Sequence, residues 1–379
     1  MSEVISDTQG QFIEEVRQKK QNNDRIHFII CGALVVMSYI FWSDFSSFRK
    51  NAPELGVEMR NLSDFWYISI AAVILQLLRR ILDFIIRSRM EVYLLRDSLL
   101  DLDLRREKLI RQIFDAVYYF SMFVFGRVIA SGTDFIPYYS GGAGTCDSMG
   151  MNWSKMKFTE QIRWYIIIQF AHHLHNLVYH TVAIKNVSNY FEIITHHYAA
   201  VVSLFYSYFT NWKDYTFIVL ICHDLSDGFL NFGKALRDLG WGSTILMYIN
   251  FALLAIFWFY HRAYIVASCY FYKMSDYYWW KSPGPGYEDL WSSVRYGVNF
   301  IIFNIFLIWV INLFWRTQIV KIGINKFIKK RKWISQHESE IDQDEIKRKQ
   351  QASKPSHDSP STPYAVEIAP ASSTKAKDD

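Results

Sequence analysis

The chain has 379 residues, of which 51% are hydrophobic and 17% aromatic, and a formal net charge of +5. Its apolar residues are gathered in blocks approaching the roughly 20 residues a helix needs to cross about 30 Å of hydrocarbon, which excludes a pair of ordinary soluble domains. The basic residues flank those blocks, where anionic headgroups and membrane topology account for them, so the charge does not indicate a nucleic-acid partner.

Residues 1–25 are polar and lack the short apolar core and small-residue cleavage site of a signal peptide, so they read as a cytosolic N-terminal segment. Hydropathy then predicts eight spans, at 26–42, 65–86, 113–130, 162–184, 191–209, 215–232, 243–267 and 294–315. The expected fold is an all-α polytopic membrane bundle of about eight transmembrane helices. A first helix and its loop occupy 26–64, a transmembrane catalytic domain 65–332, and a disordered cytosolic tail 333–379. That tail is rich in Glu, Gln, Lys, Ser and Pro and poor in apolar residues. Of the four cysteines, Cys31, Cys222 and Cys269 fall in or beside spans and Cys146 in a loop, which gives no disulfide framework.

Orientation follows from Lys/Arg bias. One set of connecting segments holds Arg17, Lys19, Lys20 and Arg25, then seven cations from Arg87 to Arg111, then Lys185, Lys234 and Arg237, then the run from Lys321 to Lys332. The other holds only Arg49, Lys50, Arg60, Lys155, Lys157, Lys213, Lys273 and Lys281. Both termini are therefore expected in the cytosol. On this topology Asn61 and Asn152 are luminal glycosylation acceptors and Asn186 is cytosolic. The final Lys375-Ala376-Lys377-Asp378-Asp379 has the form of a dilysine retrieval signal of the endoplasmic reticulum membrane.

Ionisable residues inside a span are costly and mark functional candidates. They concentrate at His196 and His197 in the fifth span and at His223, Asp224 and Asp227 in the sixth. Counted from the turn at Asn211 to Asp214, His196 lies about 23 Å away, and Asp227 and His223 about 20 and 14 Å, so antiparallel neighbours bring them to similar depth. Imidazole can take a proton from an amine or attack a thioester, and a carboxylate can orient it or hold an ammonium; both suit acyl transfer. Buried His–Asp pairs that only fix packing are the bland alternative. His172, His173, His175 and His180 of the fourth span point to different faces, so at most one is expected at the site. A di-iron hydroxylase would need boxes such as HxxHH, which the chain lacks, so no metal site is expected.

Thr195-His196-His197, Ser207-Tyr208, Asn211, His223-Asp224, Asp227 and Lys234 together resemble the Lag motif of the ceramide synthases, within the TLC-domain family. The resemblance runs from about residue 65 to 332 and implies a TLC-type bundle that moves a fatty acyl group from acyl-CoA to the amine of a sphingoid base in the endoplasmic reticulum membrane. It implies catalytic roles for His196, His197, His223, Asp224 and Asp227 and substrate contacts at Ser207, Tyr208, Asn211 and Lys234. It also implies no cofactor beyond acyl-CoA as co-substrate and is compatible with homo- or hetero-oligomers. Arg87, Arg89 and Lys185 are candidates for CoA phosphates, and the segment 271–293 is a candidate floor for the acyl chain, or else an aromatic interfacial belt. Where the family has Asp, Arg, Gly and Glu, this chain has Asn189, Asp214, Thr216 and Asn231. The alternatives are a non-catalytic lipid-binding or translocon-associated TLC protein and a metal-dependent lipid hydroxylase.

Overall fold

The computed structural model describes residues 39, 42–43, 45–55, 57–90, 102–134, 136–145, 159–183, 190–272 and 288–325. The expected tail, most of the first span, Asn152, Asn186, Lys185, Cys31, Cys146 and the segment 273–287 lie outside these residues.

The described elements are helical. We number them α1 (Asp64–Met90), α2 (Leu102–Ala130), α3 (Glu160–Ala183), α4 (Tyr190–Phe209), α5 (Lys213–Asp238), α6 (Ile245–Phe257) and α7 (Glu288–Gly323). A π-wound stretch, Trp258–Tyr272, continues α6 without a break. Short 3-10 turns stand at Ala52–Leu55 and Tyr138–Ser140. Thr244 caps α6, its side chain accepting from the Met247 amide.

Among the described residues three segments are long and apolar enough to cross a membrane on length and composition, Arg106–Ala130, Ile245–Ser268 and Ile302–Gly323. These coincide with three of the eight expected spans. The helices α1, α3, α4 and α5 cover four more, but their polar content, such as Arg79, Arg80 and Asp83 on α1 and four histidines on α3, sets them apart by composition. A membrane helix can carry such residues when they face the bundle interior. Here many do: Arg79, His172, His173, Asn176, His196, His197 and Asp224 are all buried.

Packing places α5 against α2 along much of its length, and α5 also meets α3, α4, α6 and the π-wound stretch. The helix α3 packs between α1 and α4, and α4 packs on α7. Two glycines make the α2–α5 approach feasible. A Cβ on Gly228 would stand 2.8 Å from Phe120 Cε1, and one on Gly126 2.8 Å from Ile221 Cγ1. At the end of the bundle where α4 turns into α5, Asp64, the first residue of α1, accepts two hydrogen bonds from Arg163 and one from the Tyr208 hydroxyl. Phe45 covers the same end, its ring 5.5 Å from that of Phe205.

Candidate functional site

The turn that sets the register of α4 and α5 is closed by the Trp212 amide donating to Ser207 O at 2.7 Å, with Asn211 in the left-handed region at φ 66°. Antiparallel departure from this turn carries the histidines of α4 to the level of the His–Asp cluster on α5. The His196 and His223 rings stand 6.4 Å apart. Around them opens a cavity. Tyr119 of α2, His173 of α3, His196 of α4, and His223, Asp224 and Asp227 of α5 form its polar part. Ala200, Leu204, Val219, Leu220, Ile305 and Ile308 give its deeper walls, with Ser203, Ser207 and Thr216 among them.

The imidazoles are not equivalent. His223 Nδ1 pairs with Val219 O at 2.7 Å and Nε2 with Asn312 Nδ2 at 3.0 Å. A carbonyl can only accept and an amide nitrogen can only donate, so His223 carries its proton on Nδ1 and its Nε2 lone pair is already engaged. His172 stacks on Tyr118 with centroids 3.9 Å apart, and its Nε2 meets Tyr119 Oη and Asn176 Nδ2. That is a packing arrangement. His173, His196 and His197 each have a buried Nδ1 with no hydrogen-bond partner. Of these, His173 and His196 line the cavity, whereas His197 stands behind, stacked on His180 at 5.4 Å. His173 is thus the one histidine of α3 that lines the cavity.

The two carboxylates also differ. Asp227 pairs with Arg262 Nη2. The Arg262 guanidinium is 1% exposed and further donates to Ser226 Oγ at 2.7 Å, Asn312 Oδ1 at 3.1 Å and His223 O at 3.1 Å, while lying over the Trp258 ring. Asp224 Oδ2 instead accepts from two neutral donors, Tyr165 Oη at 2.8 Å and Gln169 Nε2 at 2.6 Å. Those bonds fix the Asp224 carboxyl group on the cavity wall.

Sequence reasoning missed Arg262, Asn312, Tyr165 and Gln169. A signal existed for Arg262, a cation inside the apolar run 243–267. The other three are uncharged residues brought in from distant helices, which no local pattern announces. Of the residues expected to touch substrate, Ser207 lines the cavity. Tyr208 instead bonds Asp64, and Asn211 accepts from Lys213 Nζ in the turn. Lys234 lies seven residues beyond Asp227, about 10 Å further from the turn. Among the described residues no group of three or more His, Cys, Asp or Glu side chains is placed to hold a metal ion.

A family model, the TRAM/LAG1/CLN8 TLC domain, matches residues 108–321, more than half of the chain. The chain belongs to the TLC-domain family. No curated protein matches it. The matched residues run from α2 to the end of α7 and so contain every cavity-lining side chain of this TLC domain. The helix α1 precedes the match and packs on its outside, against α2 and α3.

Proposed function

We propose that the protein is a ceramide synthase, an acyl-CoA-dependent N-acyltransferase acting on a sphingoid base in the endoplasmic reticulum membrane. The observation that carries this reading is one cavity that is apolar at depth and carries an unpartnered imidazole, His196, beside an anchored carboxylate, Asp224. The apolar part suits a fatty chain, and the polar part suits attack of an amine on a thioester.

In the proposed reaction the amine forms a bond to the thioester carbonyl carbon and the carbon–sulfur bond breaks. The incoming ammonium gives up two protons; one goes to the CoA thiolate and one to solvent. His196 serves as the base that takes a proton from the amine, or as the nucleophile that carries the acyl group before the amine takes it. Asp224 holds the ammonium, because Asp227 is already satisfied by Arg262. His223, with its lone pair engaged, shapes the wall beside His196. His197 supports His196 from behind, and His173 is the second imidazole facing the reacting atoms.

The test is purified protein in lipid with acyl-CoA, with and without sphinganine or sphingosine, read by mass spectrometry. Amide formed only when both substrates are present, with one free CoA per amide, is the expected result. Bound lipid without amide would favour the non-catalytic lipid-binding reading, and a hydroxylated product would favour the hydroxylase.

A further inference from the structure

The cavity runs toward the α4–α5 turn. Leu204, Ser207, Thr216 and Leu220 line its deep end. Beneath them the α4–α5 turn is held by the Trp212 amide on Ser207 O and by Thr216 Oγ1, which donates to Trp212 O at 3.1 Å. Tyr208, Phe209 and Lys213 around this turn are fully buried, so the turn is packed solid. The Thr216 hydroxyl is engaged by the turn's own backbone and is not needed by a ligand.

The depth of the slot is set by helix geometry. From His196 to Ser207 is eleven residues of α4, about 16 Å. An extended alkyl chain advances about 1.25 Å per carbon, the projection of a carbon–carbon bond at a tetrahedral angle, so about 13 methylenes reach from the imidazole to the floor. We propose that Thr216 is the length-determining residue of the acyl slot, which seats an acyl group of about 14 to 16 carbons with its methyl end against Thr216. Longer chains leave methylenes unseated. The inference rests on the acyl-donor reading above and places the measure of length at the α4–α5 turn, far in sequence from the segment 271–293.

Binding of myristoyl-, palmitoyl-, arachidoyl- and lignoceroyl-CoA to the full-length protein, read by native mass spectrometry without amine, tests it. The wild type should favour palmitoyl- over arachidoyl-CoA by tenfold or more. Thr216→Gly should raise the arachidoyl-to-palmitoyl ratio by about fourfold for each methylene newly seated, and Thr216→Leu should lower palmitoyl relative to myristoyl by a similar factor. Thr216→Val keeps the volume and removes the hydroxyl, so it should keep the wild-type ratios. Equal ratios in wild type, Gly and Leu variants would overturn the floor, as would a changed ratio in Thr216→Val. No bound acyl-CoA of any length in the wild type would overturn the acyl-donor reading itself and this inference with it.

Discussion

Asp224 and Asp227 sit three residues apart on one helix yet differ in what they can do. Asp227 has a guanidinium at contact distance, whereas Asp224 has a phenol and an amide. The difference matters because a guanidinium compensates the Asp227 charge, while Asp224 has only neutral donors and remains open to a cationic partner. Asp224→Asn is therefore expected to lower turnover by about a hundredfold at nearly constant volume, a loss read in the amide assay with unchanged expression. Retained turnover would make Asp224 a packing residue. Arg262→Met should act on stability: it strands Asp227 and removes three further hydrogen bonds, an expected cost of about 3 kcal/mol, seen as a lowered Tm. An unchanged Tm would mean that Asp227 finds water instead. At this scale the sequence anticipated side chains that the fold brings together, since His196, His223, Asp224 and Asp227 line one cavity. It did not separate His196 from His197, because only the cavity tells which ring faces a substrate. His197→Ala is accordingly expected to lose less than tenfold, in contrast with the loss that its place in the motif alone would suggest.

Helix contacts in an apolar solvent depend on close approach, because lipid offers side chains as good an environment as the partner helix does. The α2–α5 seam relies on Gly126 and Gly228 for this. Gly228→Val would drive a branched side chain into the Phe120 ring and is expected to destabilise by about 1–3 kcal/mol. Native-like thermal unfolding of that variant would show the seam to be looser than drawn. The same reasoning explains which elements were legible. Hydropathy anticipated a span at each of α1 to α7, and among the described residues α2, the α6 run and α7 also stand out by composition. The helices α1, α3, α4 and α5 carry more polar residues, several of them buried, such as Arg79, His172, His196 and Asp224, so composition alone ranks them lower. The contrast appears in α3, whose four histidines take four different surroundings: Tyr118, the cavity, Gln76 and His197. No spacing rule distinguishes those fates.

For the whole molecule, orientation and site depth are linked. If the α4–α5 turn faces the lumen, acyl-CoA reaches the imidazoles from the cytosol and the tail points toward the turn. Asn61 lies at that turn end, exposed, just before Asp64, its side chain accepting from the Ser63 amide. Glycan is thus expected at Asn61 or Asn152 and never at Asn186. A glycosidase-sensitive mass shift that survives mutation of both acceptors would reverse the orientation. The central claim is acyl transfer at a cavity whose reactive imidazole is His196. It is tested most directly by amide formation from palmitoyl-CoA and sphinganine in wild type and His196→Ala, with matched expression and Tm. The account predicts product from the wild type and a loss of a hundredfold or more in the variant. Wild-type turnover in a folded His196→Ala protein would contradict it.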